Sequence, residues 1–127
     1  MPFDPLLHGV PMGQPQVPVD LPTYDEGVGR GADADERWNA ELLARIGDGK
    51  PHVLTIHAES EGGAKAQLLE RFLDAALAQG HVFEPLGSWL ARFPSLQSAP
   101  VRRGTIPGRE GWLCVRGRPD AASTRNI

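Results

Sequence analysis

His52-Val53-Leu54-Thr55-Ile56-His57-Ala58-Glu59 is the stretch on which the reading of the fold turns. Its apolar and β-branched middle predicts a short strand over 52–57 that hands His57, and then a carboxylate, to its C-terminal mouth just before a helix. In barrel-like α/β enzymes the active site is lined by residues at the C-terminal ends of strands, because the loops there vary around a rigid core. His57 is thus the first candidate for chemistry. Pattern alone leaves two roles open for it, a general acid or a hydrogen-bonded histidine of the core or surface.

Working outward, Ala64 to Gln79 sets Leu68, Leu69, Phe72, Leu73, Ala76 and Leu77 on one helical face, and Gly80 stops that helix. His81-Val82-Phe83-Glu84 reads as a second short strand and Gly87 to Phe93 as a short helix. Upstream, Asp33 is the candidate N-cap of a helix with Glu36 completing a capping box. Trp38, Leu42, Leu43 and Ile46 follow at helical spacing until Gly47 and Gly49. The order helix, strand, helix, strand predicts a parallel α/β unit with a right-handed crossover. Two parallel strands do not close a core, since a parallel sheet is covered on both faces and has more strands than this. The α/β unit therefore reads as incomplete.

The flanks differ from this middle part, 33–93. Residues 1–31 hold six prolines and five glycines, which predicts an extended segment, because proline fixes φ and lacks an N–H. Within it Val17, Val19 and Leu21 alternate with Pro18 and Asp20, which suits an edge strand or an extended segment laid across a core. Residues 101–113 read as an ordered loop and 114–127 as a flexible basic tail.

At 127 residues, with 40% hydrophobic and 23% charged residues, the chain has the composition of one small globular domain. The net charge of −3 gives no case for nucleic acid. It conceals an asymmetry: residues 1–100 hold 7 Lys/Arg against 14 Asp/Glu, and residues 101–127 hold 6 Arg against 2 acids. The basic end suits an anionic partner. A single cysteine, Cys114, makes no internal disulfide, so a reducing cytoplasm suits the chain. No apolar run approaches the roughly 20 residues that cross a bilayer, and no signal-peptide layout opens the sequence, which leaves peripheral membrane contact.

Three stretches in order carry a more specific signal: Pro15-Gln16-Val17-Pro18-Val19-Asp20-Leu21-Pro22-Thr23-Tyr24-Asp25-Glu26, Leu54-Thr55-Ile56-His57-Ala58-Glu59-Ser60-Glu61-Gly62, and Ile106-Pro107-Gly108-Arg109-Glu110-Gly111-Trp112-Leu113. Together they resemble the C-terminal part of the bacterial undecaprenyl-phosphate 4-deoxy-4-formamido-L-arabinose deformylases, of the polysaccharide deacetylase superfamily. The resemblance runs from about Phe3 to Leu113. It implies the C-terminal portion of a distorted (β/α) barrel, over residues 1–113, and hydrolysis of a formamide on a lipid-linked sugar. The pathway implied adds aminoarabinose to lipid A and gives resistance to cationic peptides such as polymyxin.

By that resemblance His57 matches the histidine of the family's last motif, Leu-x-His, and protonates the departing amine. Here the motif reads Thr55-Ile56-His57, without the leucine. The family's divalent metal implies an aspartate pair and a paired-histidine motif, and neither has a counterpart in these 127 residues. Histidines 8, 52, 57 and 81 have no metal-ligand spacing. The chain is therefore expected to hold no metal by itself and to be a C-terminal section that is inactive alone, with the N-terminal half of the barrel as a partner.

Glu59 and Glu61 are both placed to orient His57 or a substrate hydroxyl; acids before a helix more often serve its positive end, and that is the reading favoured for Glu61. Arg102, Arg103, Arg109 and Trp112 are candidates for the sugar, the undecaprenyl phosphate or the anionic leaflet of the inner membrane, each arginine contributing about 1 kcal/mol near such a surface. Solubility and a buried loop anchor are the competing roles. The alternative reading of the whole chain is a non-catalytic module that binds a partner or anionic lipid through its Arg-rich end.

Overall fold

Apolar residues four apart build the first of two units, Val19–Glu84. Helix α2, Ala34–Ile46, buries Trp38, Leu42 and Ile46, and helix α3, Ala66–Ala78, buries Leu68, Phe72 and Ala76. Each set is one stripe of a 3.6-residue helix, and the stripes pack together with Trp38 and Phe72 ring centroids 6.4 Å apart. Leu21 joins the same core, and Tyr24, on the short helix α1, Tyr24–Gly27, meets Trp38 edge to face at 5.7 Å. Gly80, at φ +86°, ends α3: its N–H bonds to the Leu77 carbonyl and that of His81 to Ala76, the paired closure that a left-handed glycine permits. This computed structural model describes residues 1–27, 33–107 and 110–118.

The second unit, Met1–Pro18 with Pro85–Ile127, is built on a sheet of order β2-β1-β3-β4. Strand β1 is Asp4–Leu7, β2 Val10–Pro11, β3 Ser98–Gly104 and β4 Leu113–Arg116. A two-residue turn at His8 and Gly9, φ +50° and +80°, joins β1 to β2, as the primed hairpin turns require. β1 pairs parallel with β3, and β3 pairs antiparallel with β4. The short helix α4, Leu86–Leu90, precedes β3 and overlaps the helix expected over 87–93, starting one residue earlier and ending three earlier.

Several expectations are corrected. Residues 52–57 and 81–84 form no strand; the first lies alongside residues 20–21, whose N–H groups both reach the Val53 carbonyl at 3.3 and 3.2 Å. A strand is defined by its neighbours, and one short contact does not supply a ladder. The parallel pairing expected between those two stretches is instead made by β1 and β3. Of the two forms expected for residues 17–21, the edge strand is not made, and Leu21 packs into the helical core from a segment without regular structure. The capping box at α2 is not made: Asp33, at φ −100° and ψ 14°, makes no side-chain cap bond, and its carboxylate lies 3.4 Å from Arg37 Nε. The extended 1–31 segment includes β1, β2 and α1; of the loop expected over 101–113, residues 101–104 lie in β3 and 113 in β4; and 114–116, expected in the flexible tail, lie in β4. The fold is mixed α/β, a four-stranded sheet and several helices.

A candidate active site at His57

His57 sits where extended chain turns into a single π-helical turn, Ser60–Ala64, that leads into α3. Such turns occur often at functional sites because they displace one residue from a regular helix. The main chain of His57 is tied on both sides. Its N–H donates to Glu61 Oε2 at 2.8 Å, and its carbonyl accepts from the N–H groups of Ser60 and Gly62 at 3.2 and 3.1 Å. The ring itself is open, with 44% of the side chain exposed, while its Nδ1 lies 3.6 Å from the wholly buried Glu61 carboxylate.

Glu61 is the residue that sequence reasoning undervalued. Its second oxygen accepts the Tyr24 N–H at 3.0 Å, so one carboxylate joins three segments of the unit. Burial pushes its pKa up, yet the N–H groups of His57, Tyr24 and Glu61 itself, with the neighbouring imidazole, outweigh burial and hold it below the usual carboxylate range. An acid ahead of a helix looks the same in sequence whether it faces solvent or core; the one available signal was its spacing of four from His57. Glu59, the expected orienter, is exposed at the start of the turn.

Two further polar clusters lie in the same unit. Tyr24 donates its hydroxyl to Asp35, and Lys65 Nζ lies 3.0 Å from the same carboxylate and 4.9 Å from the Tyr24 ring centre. The hydrogen bond from Tyr24, then that from Lys65, lowers the Asp35 pKa. The other cluster is His52, which sequence reasoning passed over: Nδ1 lies 2.6 Å from Asp20 and Nε2 2.8 Å from Asp48, with Asp20 also accepting the Val53 N–H. Partial burial works against the charged ring, but the hydrogen bonds and charges of Asp48 and Asp20 prevail and raise the His52 pKa. With both nitrogens spent on carboxylates, His52 is a clamp and not a free acid or base.

The basic and aromatic candidates lie in the sheet unit. Arg103 stacks its guanidinium 4.3 Å from the centre of the Trp112 ring, which is 57% exposed. Trp112 is therefore no buried loop anchor. Arg102 and Arg103 are successive strand residues, opposite Val115 and Cys114, so their side chains leave opposite faces of the sheet. Arg109 lies outside the described residues. Among the described residues no group of three or more His, Cys, Asp or Glu is placed to hold a metal ion, and no helix is long and apolar enough to cross a membrane.

What these features define is a mixed α/β protein with an exposed imidazole over a buried carboxylate, an arrangement suited to proton transfer. No family model matches the chain. It is 38% identical over 103 residues, 78% of its own length and 33% of the relative's, to a protein of Shewanella sediminis named probable 4-deoxy-4-formamido-L-arabinose-phosphoundecaprenol deformylase ArnD. A protein of the same name from Wigglesworthia glossinidia brevipalpis is 32% identical over 118 residues, 90% of this chain and 40% of that one. The chain thus corresponds to a part of the 4-deoxy-4-formamido-L-arabinose-phosphoundecaprenol deformylases, and spans about a third to two-fifths of the length of these relatives.

Proposed function

We propose that this chain is the C-terminal section of a deformylase that hydrolyses the formamide of undecaprenyl-phosphate-linked 4-deoxy-4-formamido-L-arabinose, and that His57 is its general acid. Identity over most of the chain to two deformylases carries this reading. The section belongs to a (β/α) barrel of the polysaccharide deacetylase type. Water adds to the formyl carbon; as the C–N bond breaks, its electron pair stays on nitrogen, which takes a proton from the His57 imidazolium. Formate and the free amine leave. An open ring on a fixed main chain supports this role, since proton transfer rewards a positioned group.

The divalent metal that the family implies does not fit the donor set described here: both nitrogens of His52 are engaged and His57 has one carboxylate beside it. No step is therefore routed through a metal on this chain. The metal ligands and the base that deprotonates water are assigned to the remaining part of the barrel, which is the partner of this section. Arg103 and Trp112 suit the sugar or its phosphate at the cytoplasmic face of the inner membrane.

The test is a chimera in which this chain replaces the matching third of the Shewanella sediminis protein, assayed for metal content and deformylation beside the 127-residue chain alone. The chimera is expected to deformylate and the short chain is not. His57→Ala in the chimera is expected to cost about 10²- to 10⁴-fold in kcat, the range for a positioned acid. A folded, metal-loaded chimera indifferent to that change overturns the assignment of His57.

The stacked Arg103–Trp112 pair favours a second reading, a non-catalytic module on anionic lipid. Co-sedimentation with phosphatidylglycerol vesicles that falls in Arg103→Ala and at high salt supports it; equal binding to neutral vesicles refutes it.

A further inference from the structure

A carboxylate with no exposed surface costs desolvation, and Glu61 recovers that cost from main-chain N–H groups of residues 24 and 57, which lie 37 and 4 positions away. Those bonds account for one contact of each oxygen. They leave Oε2, with its charge, 3.6 Å from Nδ1 of the His57 ring. That is long for a hydrogen bond and short for a charge.

An imidazole has two neutral tautomers, and a neighbouring anion favours the one that turns an N–H toward it. On this unit the anion beside the ring is buried and held by two main-chain N–H groups, whereas 44% of the His57 side chain is exposed. The carbonyl of His57 is held by Ser60 and Gly62, so the residue does not swing away from Glu61 by rotating its peptide.

We propose that Glu61 is the positioning residue of His57: its buried carboxylate fixes the main chain beneath the ring and keeps the neutral imidazole protonated on Nδ1, leaving Nε2 to exchange protons with substrate. The role of His57 as acid rests on the deformylase reading; the tautomer does not. Glu61 acts through His57 and touches no reacting atom.

The experiment is ring ¹⁵N NMR of the ¹⁵N-labelled 127-residue chain, read where the imidazoles are neutral, with the exposed His8 as internal reference. His57 is expected to give the Nδ1–H pattern, and in Glu61→Gln to relax toward the mixture that His8 gives. A His57 in the Nε2–H form in the unaltered chain overturns the proposal, as does an unchanged tautomer in a folded Glu61→Gln chain. If the variant does not fold, the unaltered chain still decides. In the chimera, Glu61→Gln is expected to lower kcat while KM holds, because the loss falls on proton transfer and not on binding. An inactive chimera with His57 in the Nδ1–H form would remove the deformylase reading and leave this one, whereas an active chimera with Nε2–H would do the reverse.

Discussion

The unit Val19–Glu84 and the sheet unit solve the problem of a small chain differently. The first buries Leu21, Trp38, Leu42, Ile46, Leu68, Phe72 and Ala76 in one cluster, while the second buries Phe3, beside β1, and Ala99, within β3 of a four-stranded sheet held by backbone bonds. Side-chain packing fixes the helical unit, and strand pairing fixes the other. A buried carboxylate bonded to two other segments belongs where the packing is dense, because only a rigid surrounding keeps such a group satisfied. The exposed Arg103–Trp112 stack belongs where a sheet face stays wet.

The largest effect that would sharpen this contrast is Trp38→Ala. Loss of a fully buried ring at the centre of the cluster is expected to cost about 3–5 kcal/mol, read as lost amide-exchange protection in α2 and α3. Phe3→Ala, read in β1 and β3, should cost less, since Phe3 has Arg116 over its ring at 5.1 Å in place of a surrounding apolar cluster. Equal losses would erase the distinction. Next in size is Glu61→Ala, which leaves the part-buried N–H groups of Tyr24 and His57 without their acceptor and should cost about 1–3 kcal/mol in all. Urea melts of the variant test this directly.

A smaller and signed effect belongs to His52. Its pKa is raised in the folded chain, so the stability it gives is complete below the unfolded value of about 6.5 and is lost as pH rises through the higher folded value. Asp48 has the opposite sense: its lowered pKa gives stability above the usual carboxylate range that disappears in acid. The clamp is therefore strongest between those limits. Thermal melts across neutral to mildly alkaline pH are expected to show decreasing stability in the native chain and a flatter profile in His52→Gln; a profile unaltered by that change would contradict the clamp. The smallest effect is Arg103→Ala, which removes an exposed cation–π contact of about 0.5–1 kcal/mol and should change the emission of Trp112 more than the melting temperature.

Legibility in the sequence followed the range of the interactions. Helices α2 and α3 were readable because Trp38, Leu42 and Ile46, and Leu68, Phe72 and Ala76, repeat within one chain segment, and Gly80 signals its own turn. Residues 52–57 were misread because an apolar run has the same composition in a strand and in a packed extended segment. Strand β1 was hidden by its own Pro5, and its partner β3 lies more than 90 positions on, Asp4 against Ser98. At the site, His57 was legible as a histidine at the end of an apolar run, and Glu59 and Glu61 as acids near it. Which acid goes inward was not.

The sequence by itself therefore determined the helical stripes, the stop at Gly80, the basic character of residues 101–127 and the kinship with the deformylases. Only the tertiary structure decided the β2-β1-β3-β4 order, the opposite faces taken by Arg102 and Arg103, the closed clamp on His52 and the burial of Glu61 beneath His57. Helical periodicity is a property of one segment, whereas strand pairing and the burial of a charge depend on which distant backbone groups arrive to satisfy them.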